Sequence, residues 1–202
     1  GEFKADQYSG LGRLELEDGS QYQGQFAHGK PNGEGQRSDA SGNQFTGHFV
    51  DGQLEGNGTF NSADGDIYVG GFKNNQLHGK GRYENADGDV WLGQFKEGSL
   101  NGKGELIGAD GSHYIGQFND WRFSGQGRLN LPDGSFYTGQ FENDSYQGRG
   151  TLVLTDGTVL SGTWINGQRV RDAEGKLLPD TLELGLLAQG RLLDAALARG
   201  PW

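Results

Sequence analysis

The chain has 202 residues and a formal net charge of −10, from 27 acidic and 17 basic side chains. No Lys/Arg run exceeds two residues, which argues against nucleic acid, whose binding relies on phosphate neutralisation, and weakens direct binding to anionic lipid, which wants clustered basic residues. Cysteine is absent, so there is no thiol nucleophile or disulfide to infer, and no stretch is apolar enough to cross a bilayer as a helix.

Gly1-Glu2-Phe3 has the look of a cloning scar, yet it keeps the phase of a repeat that runs down the chain. Gly1 stands 23 residues before Gly24, and Phe3 stands 23 before Phe26. Residues 1–21 read as a truncated repeat, and the chain as a fragment of a longer array. Residues 22–159 hold six full units at a constant step of 23, with no insertion or deletion. Each unit opens on an aromatic: Tyr22, Phe45, Tyr68, Trp91, Tyr114 and Tyr137. A glycine follows two residues on and a second aromatic two further, as in Tyr68-Val69-Gly70-Gly71-Phe72. Repetition this strict signals a repeat architecture, and the 39 glycines are periodic, not a mark of disorder.

The first half of each unit alternates with period two, which reads as a strand with one packed face. The second half, as in Gly79-Lys80-Gly81-Arg82-Tyr83, alternates too and closes on a mostly apolar column of Leu14, Arg37, Phe60, Tyr83, Leu106, Leu129 and Leu152. Gly79 and Gly81 are expected on the face of Tyr68 and Phe72, so that a ring lies over bare backbone. The Asp-Gly pair ending most units, such as Asp64-Gly65, reads as a type I′ hairpin turn. The connection between halves, such as 73–78, reads as a looser loop. Residues 160–175 form a degenerate last unit around Trp164 and Gly167. In 176–202, Pro179 and Asp180 with Glu183 three residues on predict a helix start. Leu182, Leu186, Leu193 and Leu197 share one face of that helix. It either caps the last strand or docks on the sheet, or else serves a partner.

Positions flanking the openers are polar early, then apolar from mid-array: Ile67, Val69, Val90, Leu92, Ile115, Phe136 and Val159. They mark a second apolar stripe, a face for the terminal helix or for another copy of the chain. His28, His48, His78 and His113 fall at four different phases and do not converge. Recurrent aspartates sit two strands apart, about 9–10 Å, too far to share a calcium ion. No catalytic residue, cofactor site or metal site is expected. The departures from the pattern are Trp121, in the candidate contact loop Trp121-Arg122-Phe123 where other units place a loop glycine, and Trp91, the largest opener, while Phe123 keeps the regular apolar column of Leu54, Leu77 and Leu100. Trp121 is either a contact hot spot or packs on a neighbouring loop. Trp91 and its fellow openers either line a binding groove or form the core.

The recurring Y-x-G-x-F…G-x-G…D-G pattern resembles the MORN repeat (membrane occupation and recognition nexus) over residues 1 to about 170. That resemblance implies an all-β fold, an elongated single-layer twisted antiparallel meander of stacked hairpins with an aromatic groove, to which the sequence adds a C-terminal α-helix. It also implies a non-enzymatic scaffold for a protein partner or a homodimer, with membrane-lipid recognition as the alternative. The stretch 73–200 further resembles the MORN region of bacterial envelope lipoproteins that continue into a legumain-like cysteine peptidase domain. On that resemblance the chain would be the non-catalytic arm of a larger envelope protein.

Overall fold

A computed structural model describes residues 2–4 and 7–179, and among these every regular element is a β-strand. The expected helix over 180–202 lies outside the described residues. By internal contacts the chain forms two compact units, 1–86 with 94–99 and 87–93 with 100–202. The first contains β1 (Glu2–Lys4), β2 (Gln7–Glu15), β3 (Gln21–Ala27), β4 (Lys30–Ser38), β5 (Gln44–Val50), β6 (Gln53–Asn61), β7 (Ile67–Lys73) and β8 (Gln76–Glu84). Strand β9 (Val90–Lys96) is shared between the units. The second contains β10 (Ser99–Ile107), β11 (His113–Asn119), β12 (Arg122–Asn130), β13 (Phe136–Glu142), β14 (Ser145–Val153), β15 (Val159–Ile165) and β16 (Gln168–Arg171). Within each unit the strands pair antiparallel with their sequence neighbours, an open meander of hairpins.

Both turn types differ from the expectation. The connection between halves is the tight one: only Asn74 (φ 50°) and Asn75 (φ 68°) separate β7 from β8, a type I′ pair. Asn and Asp tolerate this left-handed conformation, and they recur there at Asp51, Asp120, Asn143, Asp144 and Asn166. The Asp-Gly connection is the longer one. Gly19 N–H donates to Leu16 C=O (3.0 Å), and only the glycine has positive φ (88°). That is a type I turn closed by a left-handed glycine. Asp18 is held right-handed because its carboxylate accepts the Ser20 N–H (2.9 Å) two residues on.

The two glycine columns of the second strand also do different jobs. A nine-residue strand faces a seven-residue one, and the register shows where the surplus goes: Gly70 pairs with Gly81 but Phe72 with Leu77. Two extra residues on β8 make a bulge at Gly79, whose φ is 76° and whose missing Cβ would meet nothing within 4 Å. Gly81 is the residue under the ring, where an added Cβ would sit 2.4 Å from Tyr68 Cε2. Bulges bend a strand, and with bare Gly81 beneath it and Phe72 and Phe95 at its edges the Tyr68 ring is fully buried.

The aromatic core interlocks at a fixed offset. Tyr22 meets Phe26 and Phe49 edge-on at 5.2 and 5.0 Å, and Tyr68 meets Phe72 and Phe95 at 5.3 and 5.1 Å. In the second unit Tyr137 meets Phe141 and Trp164 at 5.0 and 5.6 Å. Such edge-to-face pairs add about 0.5–1.5 kcal/mol beyond area burial. Each tyrosine lies along its strand, and its hydroxyl donates to the carbonyl three residues on: Tyr68 to Gly71 (2.8 Å), Tyr137 to Gln140 (2.9 Å). Pairing persists past the degenerate unit, through a turn at Asp172–Gly175 and a bridge from Arg171 to Leu177.

Candidate functional site

The edge carrying the type I′ turns is where one hairpin is fastened to the one before it. The second turn residue donates its N–H to a carbonyl 21 positions back: Gly52 to Pro31 (2.9 Å), Asn75 to Leu54 (3.2 Å), Trp121 to Leu100 (3.0 Å), Gly167 to Tyr146 (2.9 Å). The first turn residue donates to a side chain in the preceding hairpin: Asp51 to Asn32 Oδ1 (2.9 Å), Asn74 to Glu55 Oε1 (3.1 Å), Asp120 to Asn101 Oδ1 (2.9 Å), Asn166 to Gln147 Oε1 (3.0 Å). Sequence reasoning misses these acceptors, although their recurrence at the repeat spacing is the signal that would find them. They satisfy turn amides that would otherwise be unpaired.

Two further side chains at the second turn position reach inward. Asn75 Oδ1 accepts the Leu54 N–H (2.8 Å), and Asp144 Oδ1 accepts the Phe123 N–H (2.8 Å). Asp144 is buried. Burial pushes its carboxyl above the ordinary aspartate value, against the opposing pull of the Phe123 amide and of Arg122. A raised folded-state value means that this carboxyl helps folding at acid pH and that its contribution is lost as pH rises. D144N, which copies Asn75, should therefore stabilise the protein at pH 7 by on the order of 1 kcal/mol, with the gain shrinking as pH falls through the raised folded value and gone by about pH 4. Urea midpoints at the two pH values check it; a loss at pH 7 would show that the charge is wanted.

The three-residue candidate loop is divided by the structure. Phe123 belongs to the core, stacked on Tyr114 at 3.9 Å and 7°. Arg122 is exposed and Trp121 half-buried, its ring edge-on to Trp91 at 6.0 Å and 86°. Trp121 also stands at φ 70° in a position that Gly29, Gly52, Gly98 and Gly167 fill in other turns. For a bulky side chain a left-handed backbone is a true outlier.

The openers do not line an open groove. Tyr22, Tyr68, Trp91, Tyr114 and Tyr137 are 0–4% exposed, and only Phe45 is half-buried, tilted against Phe60 at 4.9 Å. On the other face, Ile67, Val69, Ile115 and Val159 are 39–59% exposed, Leu92 and Phe136 are half-buried, and Val90 is buried. Across the strands the stripe is interrupted by polar neighbours at three of these positions. Asn61 and Glu84 flank Ile67, Thr59 and Arg82 flank Val69, and Glu105 and Arg128 flank Ile115. Phe136, Val153 and Val159 do form a contiguous apolar row across three strands. The histidines stay apart: His48 pairs with Glu34 (3.2 Å) and His113 with Glu105 (3.0 Å). Among the described residues no group of three or more His, Asp or Glu is placed to hold a metal ion.

No curated protein matches the chain. Among solved structures it is similar to the TCP domain of Drosophila melanogaster SAS-4, solved with a proline-rich motif of Ana2. That likeness has TM-score 0.41 and 15% identity, over 82% of this chain and 86% of that one. It is also similar to a variant of the TCP10 domain of Danio rerio CPAP, with TM-score 0.41 and 16% identity over 82% and 73%. A virginiamycin B lyase from Staphylococcus aureus follows at TM-score 0.21 and 9% identity, over 80% and 58%. Likenesses this distant carry nothing about function. The MORN repeat family model, in contrast, matches seven consecutive windows, 1–21, 22–44, 45–67, 68–90, 91–113, 114–136 and 137–159. These windows share the phase of the hairpins, and the chain belongs to the MORN-repeat family.

Proposed function

We propose that this chain is a non-enzymatic repeat scaffold that binds protein, with Trp121 and Arg122 on the turn edge of the second unit as its contact. The observation that supports this most directly is Trp121 at φ 70°. A strained left-handed residue costs about 1–3 kcal/mol and persists where something requires it. Tryptophan and arginine are also the residue types that most often dominate binding energy at interfaces. The partner is a second copy or another chain, and net charge −10 weighs against an anionic membrane. The resemblance of 73–200 to bacterial envelope lipoproteins supports its being the non-catalytic arm of a larger envelope protein with a cysteine peptidase domain. The full reading frame on either side tests that assignment.

W121G should leave stability within about 1 kcal/mol of wild type, since relief of the left-handed strain offsets loss of the edge contact with Trp91. Its partner contact should be lost. A photo-crosslinking residue at Arg122, with exposed Arg82 as the matched control, reads that contact in the native host. Sedimentation equilibrium then tells a homodimer, twice 21.8 kDa, from a heterologous complex. Crosslinks of equal yield with and without Trp121 would remove the turn from the interface.

A further inference from the structure

At the beginning of the first unit the rings are buried, but the apolar column beside them is incomplete. The column that closes each second strand buries Phe60, Tyr83, Leu106, Leu129 and Leu152. Arg37 stands in that column, and beside it a cup of about 230 Å³ opens. Tyr22 and Phe49, edge-on at 5.0 Å, form its floor, while Leu14, Leu16 and Pro31 form the walls. The rim leucines are 37% and 53% exposed, so the cup is reachable from solvent.

Arg37 is only half provided for. Its guanidinium carbon lies 4.8 Å from the Phe45 ring centroid and 5.9 Å from that of Phe49, and one nitrogen donates to Asn75 Oδ1 (3.0 Å). Among the described residues it makes no ion pair. Asp39, the carboxylate whose field reaches it, has Oδ1 engaged by the Ser41 and Asn43 N–H groups and Oδ2 by the Asn43 amide. Burial pulls the guanidinium value down, the mark of a cation short of solvent. A planar fork in this state matches a carboxylate, which it can hold through two parallel N–H···O bonds. The cup is smaller than the roughly 300–1,000 Å³ of drug-sized sites, so it holds a single large side chain.

We infer that the cup bounded by Leu14, Leu16, Tyr22, Pro31 and Phe49 binds the C-terminal residue of a peptide, a large apolar side chain in the cup and the free carboxylate on Arg37. This site lies in the other unit from Trp121 and stands or falls independently of it.

Fluorescence anisotropy with the intact chain tests the assignment, using a labelled pentapeptide ending in phenylalanine with a free carboxylate and the same peptide as its C-terminal amide. The free acid should bind at least tenfold more tightly than the amide. R37L, which restores the leucine of Leu106 and Leu129 and closes the cup, should abolish binding while keeping or raising the melting temperature. R37Q, measured in parallel, removes the charge without adding apolar bulk and should weaken binding at least tenfold; it carries the test if R37L misfolds. Equal affinity for acid and amide, unchanged binding in a folded Arg37 variant, or no binding at millimolar peptide would each overturn the inference. Octanoate binding more tightly than the peptide would overturn the peptide assignment as well.

Discussion

G81A is expected to destabilise the first unit by about 3 kcal/mol, the upper end of what overpacking a well-filled core costs. G79A, two residues away, should cost only about 1 kcal/mol, the penalty for a left-handed alanine. The asymmetry follows from what each missing Cβ would meet. At Gly81 it would lie 2.4 Å from both Cε2 and Oη of Tyr68. That ring cannot swing aside, since its hydroxyl is bonded to the Gly71 carbonyl at 2.8 Å and Phe72 and Phe95 hold its edges. At Gly79 the space is open and only the backbone, at φ 76°, objects. Urea unfolding of the two variants measures the difference. A Y68L substitution in the G81A background should recover part of the loss, a coupling expected only between residues in contact. Equal costs at the two glycines would mean that ring cover is not what selects Gly81.

The second large effect is alkaline unfolding. Burial pushes the Tyr68 hydroxyl up to about 12. Tyr83, Tyr114, Tyr137 and Tyr146 are raised as well, in each case first by burial and at Tyr83 also by the hydroxyl it donates to Asp66 (2.7 Å). In the unfolded chain a tyrosine loses its proton near pH 10. Between that value and the raised folded one, the folded chain holds the proton and the unfolded chain does not. Stability is thus whole below pH 10 and falls as pH climbs through the folded values. Each tyrosine contributes a slope of roughly 1.4 kcal/mol per pH unit. The three in the second unit together should remove about 4 kcal/mol per unit. Tyrosinate absorbance and the loss of β-sheet dichroism should therefore rise together, as one steep transition above about pH 11. Tyrosines ionising one by one near pH 10 with the dichroism unchanged would show that they are not sealed in.

Period and phase are enough to read the strands, their packed faces and the family from residues alone, because Tyr68, Gly70 and Phe72 mark one face by simple alternation. The turns mislead because Asp64-Gly65 looks like a two-residue hairpin. Which residues sit at the turn depends on where pairing stops, and the bulge at Gly79 shifts that point by two residues. The fate of the openers is hidden too, since alternation puts Tyr114 and Tyr137 on one face without showing that Phe118, Phe141 and Trp164 close against them. The interruption of the apolar back stripe is hidden for another reason. Ile67 and Val69 stand out along their own strand, but their neighbours Asn61, Thr59, Arg82 and Glu84 come from strands on either side. Arg37 is visible only as a break in a column; that the break leaves a hollow is a property of packed volume.

The amides joining successive hairpins set a rule for how such a protein can change in length. Every joint spans the same 21 positions and draws on backbone groups present whatever the side chain, as Gly52 to Pro31 and Gly167 to Tyr146 show alike. A duplicated segment of one full period would find donor and acceptor waiting at both of its borders. A gain or loss of any other size would put the wrong carbonyl opposite each amide. Arrays of this kind should therefore grow and shrink across evolution in whole steps, with the reach between their ends counted in hairpins.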